Sequence, residues 1–229
     1  MKKGRSGCFT YTEKEMADAF VIFLKSRRGI PGVGQFQGIF REVSCHQGRP
    51  DFIALRNGER HQAVRRHTSV GLVESQILHF LNPNTPRTLR YIMDRSRYTE
   101  ASVKRSLRKL EGTGYVWRTE KGTYRLVEKV GGTQVELWSF ELKLDNPKRA
   151  VFQAQQSRLY ADRAIIVVPP GQEGNYDRYT ETMKRWGIGL ATFDAKSGNF
   201  KFARRGRKSH PLNRQYQLYT MARLHVYAC

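Results

Sequence analysis

Apolar positions recur with helical spacing in the first stretch of the chain. Thr12-Glu13-Lys14-Glu15 has the form of a capping box, and Met16, Ala19, Phe20, Phe23 and Leu24 follow on one helical face. The Gly/Pro-rich run Gly29-Ile30-Pro31-Gly32-Val33-Gly34 ends that helix. The period then shortens to that of strands. One strand is expected over Phe36 to Ser44, a turn at Gln47-Gly48-Arg49-Pro50, and a second strand over Asp51 to Leu55. Asn57-Gly58 supplies a hairpin-type turn signal.

Between residues 70 and 130 the helical period returns. Val73, Ile77, Leu78 and Leu81 predict one helix, broken by Asn82-Pro83-Asn84-Thr85-Pro86. Leu89, Ile92 and Met93 predict a second. Thr99 caps a third, with Val103, Leu107 and Leu110 on one face. Gly112 and Gly114 end it, and Tyr115 to Arg118 pairs with Thr123 to Val127 in a hairpin turning at Glu120-Lys121-Gly122. Three helices and a two-stranded wing form a winged helix-turn-helix. Its third helix carries Lys104, Arg105, Arg108 and Lys109 away from the apolar stripe, so one face packs while the other can enter a major groove. Arg118 and Lys121 on the wing are placed to reach the flanking backbone.

After Gly131-Gly132 strands and helices alternate. Val135 to Leu144 reads as a strand, Pro147 to Tyr160 as a helix, and Ala164 to Val168 as a buried strand. Tyr176 to Trp186 reads as a helix and Ile188 to Phe193 as a strand. The remainder is a basic C-terminal tail with eight Lys/Arg and no carboxylate beyond Asp194. These blocks divide the chain into a core segment over residues 1–68, an inserted winged helix-turn-helix over 69–130, and a second core segment over 131–229.

Charge narrows the partners. The 229 residues contain 41 Lys+Arg and 20 Asp+Glu, a formal net charge of +21. Residues 86–130 contribute +7 of it. Such an excess calls for a polyanion, and nucleic acid fits better than an anionic membrane because no long amphipathic basic helix stands out. No apolar run approaches the roughly 20 residues that span a bilayer. No apolar signal-peptide core follows the basic N-terminus. Three scattered cysteines, Cys8, Cys45 and Cys229, suit a reducing cytoplasm of a bacterial, archaeal or phage-like context. His46, His61, His67, His79 and His210 lack metal-ligand spacing. Gly32, Gly34 and Gly38 lack the helix start that a dinucleotide loop needs.

Two strands carry chemistry. Asp51 opens an otherwise apolar strand. Glu141 and Lys143 share one strand face while Leu142 and Leu144 turn to the core, because side chains alternate with period two. A carboxylate and an ammonium in a buried strand are costly unless paired or bound to an ion. Two carboxylates on adjacent strands can hold Mg²⁺ and leave positions for water and phosphate.

Pro50-Asp51 followed by Glu141-Leu142-Lys143 resembles the PD-(D/E)XK nuclease superfamily, in its restriction-endonuclease-like and Holliday-resolvase-like branch. The likeness covers residues 9–68 and 131–195. It departs from the usual pattern in the gap of about ninety residues between the two motifs, which an inserted winged helix accounts for. The resemblance implies an α/β fold, a mixed sheet flanked by helices. It implies Mg²⁺-dependent hydrolysis of DNA phosphodiesters, with Mn²⁺ able to substitute. Asp51 and Glu141 would bind metal with Glu42 as support, and Lys143 would position the water. Gln153 or Gln156, the latter in a QxxxY pattern with Tyr160, would orient Lys143 or a phosphate. Glu13 and Glu15 are candidates for an acidic residue of the first helix. The expected partner is double-stranded DNA, and cutting both strands would take two centres, as in a homodimer. Two alternatives stand beside this: a non-catalytic winged-helix regulator on a degenerate nuclease scaffold, and a structure-selective junction resolvase.

Overall fold

The computed structural model describes residues 11–26, 29–45, 47–56, 70–127 and 135–224. Helix α1 (Glu13–Lys25) starts at the capping box: Thr12 accepts from the Glu15 amide and the Glu15 carboxylate accepts from the Thr12 amide. Strands β1 (Gly38–Arg41) and β2 (Phe52–Arg56) follow. The winged segment contains α2 (Leu72–Phe80), α3 (Leu89–Ser96), α4 (Glu100–Gly112), β3 (Val116–Arg118) and β4 (Tyr124–Leu126). Strand β5 (Glu136–Leu142), helix α5 (Pro147–Ser157) and strand β6 (Arg163–Val168) resume the α/β part. A 3₁₀ turn (Glu173–Tyr179), α6 (Thr180–Trp186), β7 (Gly189–Asp194), β8 (Asn199–Arg204) and α7 (Arg214–Arg223) complete it.

Six strands form one mixed sheet in the order β1-β2-β5-β6-β7-β8. The β1–β2, β2–β5 and β7–β8 pairs are antiparallel, and β5–β6 and β6–β7 are parallel. Alternation sorts the side chains between the two faces. Phe52, Ala54, Trp138, Phe140, Leu142, Ile165, Val167, Ala191 and Phe193 meet α1 on one face. There Phe20 lies edge-on to Phe52, Phe140 and Phe193, with ring centroids 5.7, 5.4 and 5.1 Å away. Losing a fully buried Phe of this kind typically costs about 3–5 kcal/mol, so α1 is anchored firmly to the sheet. The other face is covered twice. Helices α5 and α6 pack over Ala164, Ile166, Val168 and Leu190, while α7 brings Met221 down onto Ile53, Leu55 and Leu137.

The winged segment has its own core, built on Ile77, Leu78, Ile92, Val103, Leu107, Leu110, Tyr124 and Leu126. Arg87 and Tyr124 exchange backbone hydrogen bonds of 2.7 and 2.8 Å, which adds a one-residue third strand to the wing. Glu74 clasps its helices: it accepts from the Gly71 amide at 2.8 Å and from the Ser106 hydroxyl on α4 at 2.9 Å. Helix α7 joins the two cores, since Leu218 packs against the winged segment and Met221 against the sheet.

Several expected boundaries differ. The first strand is shorter than Phe36 to Ser44 because Glu42 takes a left-handed backbone conformation (φ 51°) that ends the regular ladder. The helix expected over Tyr176 to Trp186 is a 3₁₀ turn followed by α6. The basic tail is not featureless but folds into β8 and α7. The Asn57-Gly58 turn, Cys8 and Cys229 lie outside the described residues.

Candidate active site and nucleic-acid interface

Register decides where the acids meet. Phe52 on β2 pairs with Phe140 on β5, so the residue before β2 lies across from the residue after Phe140. Those residues are Asp51 and Glu141, and cross-strand partners share a face. That face is the one bearing Ile53, Leu55 and Leu137, away from α1. Asp51 Oδ2 accepts from the Leu142 amide at 2.7 Å, which fixes its carboxylate at the end of β5. Lys143 Nζ lies 3.5 Å from Asp51 Oδ2 and donates to the Leu142 carbonyl at 2.8 Å. The first turn of α1 closes the group from above. Glu13 Oε1 accepts from the Leu144 amide at 3.3 Å, and its Oε2 stands 4.0 Å from Lys143 Nζ. Glu15 is held by its capping box and stays apart.

Glu141 is 2% exposed. Burial pushes its carboxyl up to about 8, and the Asp51 charge adds to the rise, while Lys143 and Arg149 pull it down. Its Oε2 has no hydrogen-bond partner among the described residues, and neither has the buried Oε1 of Gln153 on α5. A buried, unpaired carboxylate oxygen next to Asp51 asks for a cation or a donor. Gln156 turns elsewhere: its Oε1 lies so close to Gly48 that a β-carbon there would sit 3.2 Å from it. Tyr160 is fully buried; its hydroxyl lies 3.1 Å from Ser157 Oγ, itself 2.8 Å from Ser139 Oγ. Burial, with the neighbouring Cys45 adding to it, holds the phenol well above its ordinary range.

Glu42 does not join this group. Its carboxylate turns to Arg49 at 2.6 Å and is half exposed, although its amide bonds the Asp51 carbonyl at 3.0 Å. Among the described residues no cluster of three or more His, Cys, Asp or Glu gathers at one point. The oxygen donors that register brings together are therefore Asp51 and Glu141. Hard oxygens, few in number, fit Mg²⁺, which keeps several waters and takes one or two carboxylates plus substrate phosphate.

On the winged segment, Val103, Ser106, Leu107 and Leu110 are buried, so the opposite side of α4 faces solvent. Arg105 and Arg108 stand there, both exposed. Lys104 pairs with Glu100 at 2.6 Å one turn back. Lys109 leans the other way, 3.9 Å from Glu74, and so belongs partly to the α2–α4 clasp. Arg118 lies over the Tyr124 ring at 5.8 Å, and Lys121 is exposed at the wing tip. Trp117, 59% exposed on the wing, and the Arg87–Tyr91–Arg95 stack at α3 were not singled out by the sequence. For the latter the signal available was Tyr91 and Arg95 at i and i+4 on α3, to which Arg87, in the bridge before the helix, adds a second guanidinium.

Residues 70–129 match the family model of the winged helix DNA-binding domain. That match and the fold agree, and they support DNA binding. Comparison with curated proteins and with solved structures finds no significant match. Among the described residues no helix is long and apolar enough to cross a membrane.

Proposed function

We propose that this protein is a metal-dependent DNA endonuclease, targeted to duplex DNA by its winged helix. The observation that carries the reading is the meeting of Asp51, Glu141 and Lys143 on one face at the end of β5, with Glu141 Oε2 buried and unpartnered. The mixed sheet flanked by helices, with the winged segment between the two acid-bearing strands, agrees with a restriction-endonuclease-like scaffold.

Asp51 and Glu141 would hold a divalent cation such as Mg²⁺, with Mn²⁺ as substitute. When bound, the cation supplies a more acidic water and neutralises charge that develops on phosphate. The chain's own groups do the rest. Lys143, restrained by the Leu142 carbonyl and flanked by Asp51 and Glu13, holds a fixed positive charge beside the acids. There it can orient the attacking water and offset negative charge on the pentavalent phosphorus. Gln153, whose buried Oε1 has no partner among the described residues, would be the glutamine that orients Lys143 or a phosphate. Arg105 and Arg108 would lie in the major groove, with Lys104, Arg118 and Lys121 at the backbone. Hydrolysis of both strands would use two chains, one centre for each.

Supercoiled plasmid incubated with Mg²⁺ tests this. Wild type should nick or linearise it, while Asp51→Ala, Glu141→Ala and Lys143→Ala, folded and still DNA-binding, should not. Intact plasmid with wild type in Mg²⁺ and Mn²⁺ would overturn the reading. Four-way junctions preferred over linear duplex would make the enzyme a resolvase. A second reading, a DNA-binding regulator on the same scaffold, draws on the Glu42–Arg49 pairing that takes Glu42 away from the Asp51–Glu141 pair. It predicts that all three alanine variants keep wild-type activity in cells.

A further inference from the structure

A second charged site lies at the other end of the same strands and on the other face of the sheet. Arg56 ends β2 and pairs in register with Glu136, which opens β5. Arg163 opens β6 opposite Trp138. Alternation puts Arg56, Trp138 and Arg163 on the α1 face, whereas Asp51 and Glu141 lie on the reverse. Five residues along β5 separate Glu136 from Glu141, about 17 Å. Between Arg56, Arg163 and Arg205 opens a small solvent-facing pocket that Trp138, Phe202 and Gly32 also line.

The three guanidinium groups are set in place by contacts that leave them in excess over the one carboxylate that Arg56 and Arg163 share, Glu136. Arg163 donates to Glu136 at 2.7 Å and to the Gly206 carbonyl at 2.8 Å, and lies 4.8 Å above the Trp138 ring. Arg205 stacks over Phe202 at 5.3 Å and makes no ion pair among the described residues. Its guanidinium closes on Gly32, where a β-carbon would come within 3.1 Å of Nη2. Arg56 stands 3.6 Å from Glu136, which also faces Lys208 at 3.6 Å. One carboxylate thus serves three cations, Asp162 lies behind the strand start, and the pocket wall itself carries three arginines and no acid. Like charges gathered on rigid aromatic seats repel one another until an anion enters. Guanidinium forks match the oxygens of a phosphate two at a time. Because Trp138 is 1% exposed beneath Arg163, the pocket offers no free ring for a base to stack on.

We propose that Arg56, Arg163 and Arg205 form a phosphate-binding pocket, separate from the Asp51–Glu141 centre, that takes a single phosphate group. That group comes either from a nucleic-acid 5′ end or from free phosphate. The test uses the full chain in EDTA, so cleavage plays no part and its outcome is independent of the nuclease reading. Inorganic phosphate is titrated against wild type, Arg205→Gln, Arg56→Gln and, as a control, Lys196→Gln, which alters an exposed lysine on the β7–β8 turn. Melting temperature and calorimetry are both read. Wild type and Lys196→Gln should bind one equivalent saturably, and the two arginine variants should bind at least tenfold more weakly. Equal binding by all four, or a shift that never saturates, overturns the pocket. A 5′-phosphorylated oligonucleotide that outbinds its 5′-hydroxyl twin only when Arg205 is present identifies the nucleic-acid end as the source. Equal oligonucleotide binding, with the inorganic phosphate effect retained, identifies free phosphate.

Discussion

Asp51 and Glu141, about ninety positions apart in the chain, face each other across the β2–β5 pair because Phe52 and Phe140 are in register. One is partly exposed and bonded to a backbone amide; the other is sealed and lacks a partner for one oxygen. This asymmetry leads to the first prediction. Without metal, Glu141 is held as a neutral acid, its carboxyl raised from the ordinary range to about 8 mainly by burial. Asp51 adds to that rise, Lys143 and Arg149 oppose it, and Tyr160 and Cys45 lie in reach. A raised folded-state value favours the fold fully below pH about 4.5 and loses that contribution as pH climbs through about 8. In EDTA the melting temperature should therefore fall between pH 5 and 8.5. Glu141→Gln should remove most of that fall, a difference on the order of 3–5 kcal/mol at the alkaline end. Parallel melting curves for wild type and variant would refute it.

Mg²⁺ should act in the opposite sense. At pH 8 it should raise the melting temperature of wild type and release a proton, because the ligand must ionise to bind. Glu141→Gln should show neither effect. Calorimetry in two buffers of different ionisation enthalpy measures the proton.

The two acids near β1 and β2 should part company in activity. Asp51→Asn should lower plasmid nicking by about 10²-fold or more. Glu42→Gln should leave it within about twofold, since Arg49 already holds Glu42 away from the centre.

On DNA, Arg105→Ala with Arg108→Ala should weaken duplex binding. If both touch phosphates, the slope of log K against log salt should fall by about 2. Lys109→Ala should change that slope less, as its ammonium is shared with Glu74. Salt titration by fluorescence anisotropy separates the cases.

Glu74→Ala should open the clasp between α2 and α4. It strands the Gly71 amide and the Ser106 hydroxyl, at a cost of about 1–3 kcal/mol. Chemical denaturation of the variant against wild type reads it directly.

Much of this was legible in the sequence where local chemistry and tertiary structure agree. Thr12 and Glu15 fixed the start of α1, and the alternation of Trp138, Phe140 and Leu142 with Ser139 and Glu141 fixed the faces of β5. The same capping box contained a further clue. It engages Glu15, so Glu13 was the acid left to reach the sheet. Glu42 misled because a charged residue near a strand says nothing of its backbone, and its positive φ turned the carboxylate outward. Strand β8 was hidden by charge, although Phe200 and Phe202 alternate with Lys201. Helix α7 was hidden for another reason: Leu218 and Met221 serve two different cores, so no single stripe forms. Gln153 and Gln156 could not be separated by spacing, whereas the fold leaves Gln153 Oε1 unpartnered and lays Gln156 against Gly48.

Helix α7 is gripped from both sides, by Leu218 toward the winged segment and by Met221 toward the sheet. Cys45 packs against the same cluster as Tyr160 and Met221. This helix thus works as a keystone: the winged segment and the sheet are tied together through one shared element. A variant lacking α7 should behave as two loosely tethered bodies, each keeping its own core but with no set orientation between them.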